Sequence, residues 1–190
     1  MHQLERIVFS HWGRLETQTI ELKGMTAILG PQGAGKSTIV DAVQLIVTGA
    51  SKRYYDLNKS TGGKNARSIR DYCLGADDHV DPDRPTRDRA DSLIAMSFRD
   101  QTTGVPISIG LVFSADRAET NPDIRARFVG PDYAIRIEDF VEIPQPGAWI
   151  IPSAARIIGR LKELCPTVRL HASGSAYVDD YLHAMRPRGA

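Results

Sequence analysis

Only two cysteines, Cys73 and Cys165, occur in 190 residues, far apart in the chain. That excludes a short-spaced metal pair and a disulfide framework, and it leaves two reduced, partly buried thiols of an intracellular protein. Charge of one sign is lacking as well: 24 Lys and Arg against 23 Asp and Glu leave a net +1. Bulk electrostatics therefore do not announce a nucleic-acid binder, and such a role needs a local basic face. No apolar run is long enough for a membrane span, and Met1-His2-Gln3-Leu4-Glu5-Arg6 lacks the charged-then-apolar build of a secretory leader. The expectation is a soluble cytoplasmic chain with no membrane partner. Asp77, Asp78, Asp81 and Asp83 lack the ordered glycine and final glutamate of a calcium-binding loop, and Pro82 and Pro85 favour a surface connector. His79 beside them does not make a catalytic centre.

What the chain does have is Gly30-Pro31-Gln32-Gly33-Ala34-Gly35-Lys36-Ser37, which satisfies G-x-x-x-x-G-K-[ST]. The apolar stretch Met25-Thr26-Ala27-Ile28-Leu29 before it reads as a strand. Ile39, Val40, Val43, Ile46 and Val47 after it fall at helical spacing. Gly30, Gly33 and Gly35 permit backbone angles and close approaches that a β-carbon obstructs, so successive N–H groups around Ala34 can face a phosphate chain. Lys36 reaches the outer phosphates, the Ser37 hydroxyl serves Mg2+, and the helix N-terminus favours the anion. A capped glycine-rich turn with a solvated lysine is the plainer reading, but it leaves the three glycines and the Lys-Ser register unexplained.

Two further strands precede the loop, at 4–9 and 17–22, joined by a turn holding Trp12 and Arg14. Trp12 is read as an aromatic plug or as a platform near the adenine or ribose. Residues 50–91 form variable basic and acidic connectors within the domain, with Lys52-Arg53-Tyr54-Tyr55, Lys59, Lys64, Arg67 and Arg70 able to meet phosphates and a short helix over 67–74. Strands are predicted at 92–99, 105–113 and 125–129, with 133–137 as a further extension. Helices are predicted at 153–164 and 175–185, with a brief strand at 168–170 between them. Asp116, after an apolar strand, is the one place to look for an acidic nucleotide-site residue, but Arg117 follows it and a strand-end surface role is the plainer one. The catalytic residue stays unknown.

Taken together, Phe9-Ser10-His11-Trp12-Gly13-Arg14, the phosphate loop and Asp41-Ala42-Val43-Gln44-Leu45 resemble the N-terminal ATPase-head section of the SMC, RecF and MukB superfamily. The stretch from Gly62 to Gly75 and the β-rich part behind it are most similar to the large SMC-like subunit of bacterial Wadjet or MksB/MukB-type condensin systems. The resemblance implies an α/β P-loop NTPase fold, with residues 1–190 as a partial ABC-type head carrying an antiparallel β-rich portion. It implies ATP and Mg2+ as ligands, held by Gly30, Gly33, Ala34, Gly35, Lys36 and Ser37 with Thr38 in support, and Arg67 or Arg70 in an arginine-bearing loop. It also implies a second head, a C-terminal head half, DNA held by the full assembly, and kleisin and accessory subunits, in the cytoplasm or at the nucleoid. No Leu-Ser-Gly-Gly signature and no apolar-strand–Asp-Glu pair occurs in the 190 residues. An isolated chain is thus expected to bind nucleotide with little turnover.

Two other readings stay open. One is a self-contained P-loop kinase or GTPase, although Asn58-Lys59-Ser60-Thr61 has Thr61 where a guanine-reading motif needs Asp. The other is a DNA- or protein-binding module with a vestigial nucleotide site.

Overall fold

The computed structural model describes residues 1–15, 17–31, 33–57, 67–75, 85–145 and 148–186, leaving out the side chains of Arg14, 143–145, 148 and 149. The expectations placed on Gln32, Asn58-Lys59-Ser60-Thr61, Lys64 and the acidic stretch from Asp77 to Arg84 lie outside the described residues.

The elements run β1 (His2–Ser10), a 3-10 turn (Gly13–Leu15), β2 (Gln18–Glu21), α1 (Lys36–Thr48), α2 (Ile69–Leu74), β3 (Arg89–Asp100), β4 (Pro106–Asp116), β5 (Asp123–Pro131), a second 3-10 turn (Ile137–Asp139), β6 (Glu142–Gln145), β7 (Ala148–Ile150), α3 (Ala154–Leu164), β8 (Arg169–His171) and α4 (Gly174–Ala184). Six strands form one sheet in the order β2-β1-β3-β4-β5-β8, each pair antiparallel. β6 and β7 form a separate hairpin.

Alternation along β3 and β4 sends side chains to opposite faces, and both faces are covered. Ile94, Met96, Leu111 and Phe113 join Ile39, Leu45, Tyr72 and Tyr177 beneath α1, α2 and α4. Leu93, Ala95 and Val112 join Phe128, Ile157 and Leu161 beneath α3. The result is a mixed α/β fold with an antiparallel sheet between two helical layers.

Gly110 sits where β4 crosses Ala95 and Phe128. A β-carbon there would stand 2.6 Å from both the Ile94 carbonyl oxygen and Phe128 Cζ. Gly110→Ala is therefore expected to cost about 1–3 kcal/mol through overpacking, read as a lower midpoint in urea. An unchanged midpoint would mean that the sheet can spread at this point.

Contacts from β5 and α4 fix the far end of α1. Arg127 on β5 donates from Nε to the Gly49 carbonyl (2.7 Å) and from an Nη to that of Ala172 (2.6 Å). Tyr181 donates to the Val47 carbonyl at 2.8 Å. Gly49, at φ 60°, ends α1 in the left-handed region, and a β-carbon on it would meet Gly174 Cα at 2.9 Å. The Gly49–Gly174 approach is a backbone-to-backbone contact that only glycines permit.

Two expected strands are absent. Residues 25–29 belong to no strand of either sheet, and Met25 and Leu29 are exposed. The last bond tying this stretch to β1 is Leu22 N–H to the Glu5 carbonyl, 2.7 Å. Residues 133–137 run instead into the second 3-10 turn. One buried serine replaces the ladder there, since Ser108 Oγ donates to the Tyr133 carbonyl (2.7 Å) and accepts from Ile135 N–H (2.9 Å). That satisfies the backbone without a neighbouring strand.

Candidate nucleotide-binding site

The loop that leaves residue 29 turns on glycines where the chemistry requires them. Gly33 (φ 82°) and Gly35 (φ 85°) both lie in the left-handed region, and Gly35 is the N-cap of α1. Among the described residues nothing lies within 4 Å of where a β-carbon on Gly33 would be, so the turn leaves space there. Gly35 instead has a floor, with Leu15 Cδ2 3.2 Å from that position. The loop closes on itself through Ala34 N–H to the Pro31 carbonyl (3.3 Å), and α1 begins with Ile39 N–H to the Gly35 carbonyl (3.1 Å). No side chain caps the helix, and no acidic residue sits in its first turn. Its leading N–H groups remain for an anion.

Lys36 donates from Nζ to the carbonyls of Gly30 and Pro31, each at 2.7 Å. The ammonium thus lies across the loop mouth. A polyphosphate can take it over at little cost, because the carbonyls it leaves can be solvated. Ser37 is half-buried in the first turn. Thr38 is buried, its methyl 3.1 Å from where a β-carbon on Gly13 would stand.

The first turn of α1 is braced from behind. Trp12 is fully buried, stacks on Tyr72 (centroids 4.8 Å apart, 19° between planes) and on Phe113 (6.0 Å), and donates its indole N–H to the Thr38 carbonyl at 3.1 Å. Of the two readings of Trp12, the structure gives the plug; the ring is no adenine platform. Tyr72 donates its hydroxyl to the buried Asp41 carboxylate. Burial first, then Asp41, raises the Tyr72 pKa well above its ordinary value, so the phenol stays protonated as a donor. Sequence reasoning missed this pair. Its signal was a carboxylate on an otherwise apolar helix face, which needs a donor once buried.

The other candidates lie elsewhere. Arg67 places its guanidinium 5.7 Å over the Tyr72 ring. Arg70 donates to the Arg117 carbonyl (2.6 Å) and to that of Asp116 (3.3 Å), which ties it to the end of β4. Asp116 pairs with Arg89 and accepts from Ala118 N–H at 2.8 Å. The Ala118 N–H first, and Arg89 second, hold its pKa below the carboxylate range. This is a structural strand end. Gln44 accepts from Asp56 N–H (3.3 Å), a loop-fixing role within α1. Among the described residues no cluster of three metal-binding side chains occurs, and no helix is long and apolar enough to cross a membrane.

A family model described as the P-loop containing region of an AAA domain matches residues 4–64, from β1 through the loop and α1. A P-loop ATPase-type domain is present. No curated protein matches the chain. The motif is one for nucleotide binding in general, and the glycine turn, the bridging lysine and the uncapped helix start are the parts such a domain uses.

Proposed function

We propose that the chain is the ATP-binding N-terminal half of an SMC-like ATPase head, which couples ATP-driven head engagement to the handling of DNA, in genome organisation or plasmid defence. One observation carries the reading: the loop-bearing segment has no strand partner, and it lies beside an uncovered helix face. Met25, Ile28 and Leu29 are exposed, as are Val40 and Val47 on α1. Between segment and helix runs a groove of about 430 Å³ lined by Leu22, Ile28, Ile39 and Val43. An apolar surface of this kind marks a docking site, and a strand-like stretch with no strand partner invites one. A C-terminal head half that adds strands beside 25–29 and covers α1 fits both.

The open turn over Gly33 and the free first-turn N–H groups suit a triphosphate chain, with Gly30, Ala34 and Gly35 completing the backbone lining and Lys36 supplying the cation. Mg2+, when bound, neutralises phosphate charge, and the Ser37 hydroxyl is its ligand from this chain. Thr38 supports the phosphates from the first turn of α1, which Trp12 holds through the Thr38 carbonyl. Hydrolysis also needs a positioned water and a carboxylate, which the described residues do not bring to the loop; on this reading a C-terminal head half or a second head supplies them. The full assembly would add kleisin and accessory subunits and work in the cytoplasm, at the nucleoid.

Titration calorimetry of the purified 190-residue chain with Mg-ATP is expected to give one site per chain, while phosphate release stays near background. A folded chain that takes up no ATP would overturn the reading, and so would full turnover by the chain alone.

A further inference from the structure

A second concave site lies at the other end of α1. The chain leaves Gly49 and Ala50 through Lys52-Arg53-Tyr54-Tyr55, a corner that nothing in the nucleotide site uses. Tyr54 is 65% exposed, and the Arg53 guanidinium lies 5.6 Å from its ring centroid. Among the described residues no ion pair engages Lys52 or Arg53. Beside this corner is a cavity of about 370 Å³, floored by Tyr55, Leu57, Ile69 and Ile124, with Ser68 and Asn121 as polar groups on its wall. Lys52 and Arg67 are among its lining residues, and Asp56 is the one carboxylate among them. The volume is that of a small-molecule site, mostly apolar with a few hydrogen-bonding groups. Its lining begins at Ala50, just past the C-terminal end of α1, and the helix's thirteen residues put that end about 20 Å from Lys36.

We infer that this corner and cavity bind a single-stranded nucleic acid, one unpaired base stacking on Tyr54 and a neighbouring one entering the cavity while Lys52 and Arg53 hold the flanking phosphates. The inference rests on the DNA-handling reading for its ligand class, but on separate residues. An acidic peptide would use the two cations and leave the exposed ring and the cavity without a role. A duplex keeps its bases stacked and paired, so their faces reach neither. A single strand offers an aromatic face at every base and a phosphate at every step, and both complements are here.

The test is fluorescence anisotropy of the 190-residue chain with a labelled single strand of about 20 nucleotides, the same sequence as a duplex, and polyglutamate as competitor, over a salt series. The single strand is expected to bind at least about tenfold more tightly than the duplex, and Tyr54→Ala to weaken it by about tenfold. The double variant Lys52→Ala, Arg53→Ala is expected to flatten the log–log salt slope by about 1.4, at 0.7 per phosphate contact. All three positions are exposed, so the variants retain the wild-type melting curve. Equal or tighter duplex binding, indifference to Tyr54→Ala, or equal displacement by polyglutamate would each overturn the inference. Mg-ATP titration of the same preparation separates the two failures: ATP binding without strand binding sinks this site alone, and loss of both sinks the head reading as well.

Discussion

Lys36→Ala is expected to weaken Mg-ATP binding by about a hundredfold without changing the fold. The size follows from the bonds a triphosphate can accept from one ammonium: two charge-assisted hydrogen bonds at about 1.5 kcal/mol each make about 3 kcal/mol, and 1.4 kcal/mol is tenfold in affinity. Stability should barely move, because Nζ contacts only the Gly30 and Pro31 carbonyls, which water can serve once the side chain is gone. Surface changes of this sort stay within about 0.5 kcal/mol. Calorimetric titration beside a thermal melt checks both halves of the statement. Wild-type affinity in the variant would mean that the cradle is not where the triphosphate sits.

Trp12→Ala should be the most damaging single change to the fold near the site, at about 3–5 kcal/mol. Out of a total stability of about 5–15 kcal/mol for a domain, that is enough to unfold a marginal protein. Three losses coincide there: a fully buried indole, its stacking on Tyr72 and Phe113, and the N–H that the Thr38 carbonyl accepts. Trp12→Phe keeps most of the ring volume and drops the N–H, so it should cost about 1–2 kcal/mol and remain folded at room temperature. That variant isolates the bond to the first turn of α1. Denaturant midpoints for the two variants give the ordering, and near-wild-type values for Trp12→Ala would show that the plug is dispensable.

Much of this was readable in the residues. The glycine spacing gave the loop, short apolar runs bounded by turn residues gave β1, β3, β4 and β5, alternation gave β2, and apolar periodicity gave α3, with its Ser153 cap, and α4; the Ser173 cap of α4 was not read from the sequence. What escaped depends on partners distant in the chain. Residues 25–29 have the composition of a strand, but a strand is made by its neighbour, and none of the described strands lies there. Residues 133–137 alternate correctly, yet Ser108, far upstream, meets their hydrogen-bonding needs. Asp41 and Tyr72 find each other only after the sheet has set α2 against α1. Trp12 kept two roles open until its burial settled the choice, because an aromatic residue at a turn has the same letter whether it faces core or solvent.

The bare apolar strip along Met25, Ile28, Leu29, Val40 and Val47 has a practical side. Water gains by hiding it, and in a tube holding one polypeptide the nearest cover is another molecule of the same kind. Light scattering per unit mass of protein should therefore rise with concentration, and a soluble peptide or partner that seats on the strip should bring it back down.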